Sequence, residues 1–128
     1  MKPWKNILML PLTFMIMSSA AAQVPSNSTL KQYFFVMLEK GPHRDQDSVT
    51  AAKIQQEHLA NITRLHDEGK LEVAGPFLDD GDWKGIFIFN VPTKEEVERI
   101  LQSDAAIKAG RLIYEIHPWM TQKGGSFH

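Results

Sequence analysis

Cysteine is absent from all 128 residues, which excludes disulfide staples, thiolate metal sites, a cysteine nucleophile and a lipid-modified N-terminal cysteine. The folded part must hold together by its core alone. Excess charge is missing too: 14 Lys and Arg stand against 15 Asp and Glu, a formal net charge of −1, so there is no basic footprint for nucleic acid. Nor is there a Gly-rich phosphate loop, a nucleophile motif or a cofactor fingerprint, and no cofactor is expected. No metal is expected either. Asp79, Asp80 and Asp82 flank Gly81 without the ligand series of a calcium loop, and His58, His66 and His117 lack zinc-ligand spacing.

Long apolar runs are scarce. The longest, residues 7–17, falls short of the roughly 20 residues a membrane span needs and contains Pro11. Lys2 and Lys5 precede it and Ala20-Ala21-Ala22 follow, the three-part pattern of a signal peptide over residues 1–22, with cleavage after Ala22. The alternative is an uncleaved anchor. With cleavage, the protein is exported, most simply to the periplasm, and keeps no membrane span. Residues 23–29, with Pro25 and Asn27, read as a flexible leader. Asn27 and Asn61 formally match glycosylation sequons, tripeptides common by chance.

What is present is an ordinary globular composition, 43% hydrophobic and 23% charged, enough for one domain over residues 30–120 with a loose tail over 121–128. Residues 31–39 form an unalternated aromatic and aliphatic run, a strand with both faces covered. After a polar loop capped by Asp47 or Ser48, Ala51, Ile54, His58, Ile62 and Leu65 share one helical stripe, and Gly69 stops the helix. Residues 70–74 alternate as a strand that Gly75-Pro76-Phe77 breaks, and residues 85–91 are a second two-sided strand. A helix follows from Pro92-Thr93 to about Ser103, with Glu95 and Glu96 favouring its N-terminus. Residues 104–110 make a capped turn or short helical hook, and residues 111–119 a last strand stopped by Pro118.

The order β-α-β-β-α-β is the split βαβ, ferredoxin-like plan: an α+β fold with an antiparallel sheet and both helices on one face. Helices cover only that face, yet two strands are apolar on both. A second copy of the chain, packed sheet to sheet as a homodimer, is the economical cover. The alternative cover is a loop or the C-terminal tail.

Three segments carry a family resemblance: His58-Leu59 with Leu65-His66-Asp67-Glu68-Gly69-Lys70-Leu71, then Ala74-Gly75-Pro76-Phe77, and Ser103-Asp104-Ala105-Ala106-Ile107-Lys108-Ala109-Gly110. Together they make the chain, from Tyr33 to about Trp119, resemble the YCII-related (YciI-like, DGPF-domain) family. The resemblance implies a ferredoxin-like fold that dimerises as an α+β barrel, and a histidine and aspartate as a catalytic pair. By position these are His58 and Asp104. Ala105 departs from the pattern, which has proline there, and an exported location is atypical of the family.

From the residues alone, His58 sits mid-stripe and should face the sheet. Burial lowers a histidine's pKa and a nearby carboxylate raises it, so a pair of this kind suits acid–base chemistry. The plainer alternative is a core histidine bonded to a backbone carbonyl. Asp67 falls about 180° from His58 on the helical wheel and should face water. His66, on the flank of the stripe, suits the helix C-terminus. Gly75, Pro76, Phe77 and Trp83 are candidate substrate-binding residues, and Trp119 a further aromatic near the pocket, with core packing or the dimer interface an equal alternative for Phe77, Trp83 and Trp119; Arg64 and Arg111 could meet an anion, with plain surface placement the default. Two functions remain open: a lyase or isomerase that moves a proton through His58 on a small, cyclic or aromatic molecule, and a non-catalytic dimer binding a small ligand or a protein.

Overall fold

The computed structural model describes residues 29–128. The expected signal peptide and all but the last residue of the expected leader lie outside the described residues. Seven elements follow: β1 (Leu30–Lys40), α1 (Ser48–Asp67), β2 (Leu71–Pro76), β3 (Trp83–Phe89), α2 (Lys94–Gln102), α3 (Ala105–Lys108) and β4 (Leu112–Gln122). The sheet has the order β2-β3-β1-β4 with every neighbour antiparallel, the ferredoxin-like arrangement expected from the sequence.

Register explains why β1 is apolar throughout. Phe34, Val36 and Leu38 lie opposite Phe89, Phe87 and Gly85 on β3, and with Leu65, Val97 and Leu101 from the helices they build the core. The intervening Tyr33, Phe35 and Met37 point to the other face, as alternation along a strand requires. There Phe35 and Met37 pair with Ile88 and Ile86, and Trp119 with Tyr33. Residues 124–127 line a cleft over Tyr33 and Ile88 at one end of this face, whereas Ile113 and Trp119 stay exposed.

Both principal helices start and stop as the residues dictate. The Asp47 carboxylate accepts the Thr50 amide at 2.8 Å to open α1, and Thr93 Oγ1 accepts the Glu96 amide at 3.2 Å to open α2. Gly69 closes α1 at φ 71°, and the Lys70 amide reaches back to the Leu65 carbonyl at 3.0 Å. Gly110 closes α3 in the same way at φ 73°, with Arg111 N–H on the Ala106 carbonyl at 3.0 Å.

Two strand ends depart from expectation. β4 does not stop at Pro118 but runs on to Gln122, so the tail begins later than expected. The reason is position: β4 is an edge strand, where a missing N–H can face away from the neighbour at no cost to the ladder. β2 likewise carries on through Gly75 and Pro76 on the opposite edge.

A crossing of backbones ties the first loop to the last turn. The Gly41 amide donates to the Arg111 carbonyl at 2.9 Å and the His43 amide to the Gly110 carbonyl at 2.9 Å. A Cβ on Gly41 would sit 2.2 Å from the Gly110 carbonyl oxygen, where only backbone could yield. Gly41→Ala is therefore expected to cost about 1–3 kcal/mol in urea unfolding. Gly81→Ala, whose Cβ would meet nothing closer than 3.5 Å, serves as the silent control.

Candidate active site

The apolar stripe of α1 turns His58 toward the sheet, where its ring lies 6.1 Å from that of Phe87 on β3. Asp104 arrives from the other side as the N-cap of α3. Its two carboxylate oxygens lie 2.8 and 2.9 Å from Nδ1 of His58, so the Nδ1 proton is donated to the carboxylate. Asp104 is 1% exposed and His58 8%. The carboxylate is saturated: it also accepts from the Ala106 amide at 2.9 Å, the Ile107 amide at 3.3 Å and Asn61 Nδ2 at 3.2 Å.

Burial alone would push the Asp104 pKa up, but the His58 hydrogen bond and charge, with Asn61 and Ala106, outweigh it and hold the carboxyl below the usual carboxylate range. A folded pKa below the unfolded one gives stability that is complete above the unfolded value of about 4 and fades as pH falls through the folded value. Urea midpoints of the native protein and of Asp104→Asn should therefore differ at pH 6 and converge as the pH drops below about 4. Asp47 and Glu68, both exposed and both shifted down, contribute to acid sensitivity in the native protein and the variant alike.

With Nδ1 engaged by Asp104, Nε2 is the ring nitrogen left over. Among the described residues it has no hydrogen-bond partner, yet no buried side-chain nitrogen or oxygen is left without one. Nε2 is therefore reached by solvent, and the opening is a cleft of about 420 Å³ lined by His58. Apolar walls come from Leu59 and Ile62 of α1, Phe87 of β3 and Phe77 beyond β2.

The structure brings most of the expected residues together. Gly75, Pro76 and Phe77 line the cleft with His58. Trp83 does not; its ring packs on Phe77, centroids 6.0 Å apart, and is 57% exposed. Trp119, expected near the pocket, instead lines the cleft on the other sheet face. Asp67 is exposed, as the wheel requires, and His66 Nδ1 donates to the Leu71 carbonyl at 3.1 Å. Arg64 pairs with Glu68 at 2.7 Å and donates to Asn61 Oδ1 at 2.6 Å, turning the Asn61 amide toward Asp104. Asn61 was legible only as a sequon, although its i+3 spacing from His58 places both on one helix face. Arg44 and Lys84, which line the cleft, carried no signal in the sequence. Among the described residues, no group of three His, Asp or Glu is placed to hold a metal ion.

Fold and site together define a two-layer ferredoxin-like domain that presents one nitrogen of a buried His–Asp pair to a cleft of about 420 Å³. The model of the YCII-related domain matches residues 33–120, and the chain belongs to that family. No curated protein sequence matches the chain. Among solved structures, a muconolactone isomerase is similar at 18% identity, over 75% of this chain and 95% of that one, with a TM-score of 0.57. A 5-chloro-2-hydroxyhydroquinone dehydrochlorinase from Burkholderia phenoliruptrix AC1100, in complex with 2,5-dihydroxybenzoquinone, is similar at 24% identity over 67% of this chain and 92% of that one, with a TM-score of 0.48. At 18% identity the likeness to the isomerase is one of fold.

Proposed function

We propose that the protein is a cofactor-independent lyase or isomerase in which Nε2 of His58 moves a proton on a small, cyclic or aromatic organic molecule. A shared fold hosts many chemistries, so the reading rests on the site. The observation that carries it is the unpartnered Nε2 opening into the cleft while Nδ1 is held by a buried carboxylate. Asp104 fixes the ring and its tautomer and stabilises the imidazolium formed when Nε2 takes a proton, which makes it a positioning residue. Asn61 and the α3 amides hold Asp104 in turn. Phe77, Gly75 and Pro76 form the wall against which the substrate lies, and Trp83 buttresses Phe77.

A histidine sealed in the core would leave no nitrogen for this chemistry, and His58 is not sealed. The test is a screen of small cyclic and aromatic compounds for proton exchange or conversion, run on the native protein and on His58→Gln. Turnover in the native protein alone supports the proposal, and equal turnover in both sinks it.

The same proposal makes the active species a homodimer. Among the described residues no helix covers the face of Phe35, Met37 and Ile86, and the exposed Ile113 and Trp119 extend it. Sedimentation at micromolar concentration should give twice the chain mass; a monomer would overturn the assembly without touching the His58 chemistry. With the export signal read in residues 1–22, the proposed site of action is the periplasm.

A further inference from the structure

Three cations line the cleft beside His58, namely Arg44, Lys84 and Arg111, and among the described residues no carboxylate does. Among the described residues, none of the three takes part in an ion pair. Each guanidinium carries five N–H donors, and the protein engages few of them. Arg44 donates through one nitrogen to the Arg111 carbonyl, and Arg111 donates to Gln46 Oε1 at 2.7 Å. The Lys84 ammonium makes no hydrogen bond among the described residues.

Two like charges are thus held together without a counter-ion. Burial first, and then the charge of Arg111, keeps the Arg44 pKa below its ordinary value. The arrangement is fixed by the crossing of the loop after β1 with the turn before β4, where Gln46 Nε2 also donates to the Ala109 carbonyl at 3.2 Å. Positive charge gathered in a partly desolvated cleft is stabilised by an anion, and a planar carboxylate matches the fork of a guanidinium. Apart from Gln55 and His58, the other side chains lining the cleft, Phe77, Phe87, Leu59 and Ile62 among them, are apolar. The volume of about 420 Å³ suits one small molecule.

We infer that Arg44, Arg111 and Lys84 form an anion-binding end of the cleft, which takes a ring compound bearing a carboxylate. The carboxylate lies against the guanidiniums and the ring against Phe77 and Phe87. The inference rests on the proposed role of His58 only in setting the ring beside Nε2; the anion end itself does not use that residue.

The test is calorimetric titration of the full chain at low ionic strength with benzoate, benzamide and inorganic phosphate. Benzoate should bind at least tenfold more tightly than the neutral benzamide and than phosphate. Its affinity should fall about tenfold in Arg44→Gln and in Arg111→Gln, because a charge-assisted hydrogen bond is lost in each. Lys84→Gln, which removes no hydrogen bond within the protein, should lower it severalfold and keeps the test valid if an arginine variant unfolds. Benzamide binding as well as benzoate, or unchanged affinity in all three variants, would overturn the inference. Phosphate binding as well as benzoate would overturn the choice of a ring carboxylate. Intact benzoate binding by the native protein with no turnover of any compound would remove the proton-transfer reading and leave the anion end standing, whereas turnover without anion preference would do the reverse.

Discussion

His58→Gln is expected to lower turnover by about 10²–10⁴-fold, the range over which a positioned acid–base group acts, with little change in substrate affinity. Glutamine keeps an N–H to offer the Asp104 carboxylate but has no group that exchanges protons near neutral pH. The loss should therefore fall on kcat, and circular dichroism with thermal unfolding should show a fold close to native. Residual turnover above a tenth of the native rate would mean that proton transfer uses another group. None of Arg44, Lys84 or Arg111, the remaining ionisable residues of the cleft, is suited to take the proton in its charged form.

Asp104→Ala has the largest expected effect on stability, about 3 kcal/mol or more in urea unfolding at neutral pH. Three losses coincide: the partner of a buried histidine, the acceptor for the Ala106 and Ile107 amides, and the acceptor for Asn61. A lost helix cap alone costs about 1 kcal/mol, so a deficit near that size would mean that the His58 pairing contributes nothing to folding. Asp104→Asn separates the roles. Its side-chain oxygen can still cap α3, while the missing charge no longer favours the Nδ1 proton. It should recover part of the stability and little of the activity.

The elements with strong patterns were readable from the chain. β1 and β3 stand out by being apolar on both faces, α1 by its stripe, and the hook at 105–108 by its preceding aspartate. His58 and Asp104 were also within reach, the first from the wheel and the second from family resemblance. Arg44 was not, because it lies 14 residues before His58 in a polar loop, and only the backbone pairing of Gly41 with Arg111 carries it to the cleft. Trp119 was misplaced because strand alternation, once β4 runs through Pro118, sets its side chain on the face away from His58. Trp83 adjoins the cleft only through Phe77, against which its ring packs. In each case local composition leaves open which side of the sheet a residue occupies, and register decides it.

Asp104 joins His58 to the first amides of α3 through one carboxylate, whose Oδ1 accepts from His58 Nδ1 and from both the Ala106 and Ile107 amides. A change in the charge of the imidazole must redistribute electron density across that carboxylate and be felt by the Ala106 N–H on its far side. The nitrogen resonance of that buried alanine amide can thus report on the state of the pair from behind, with no label placed in the cleft.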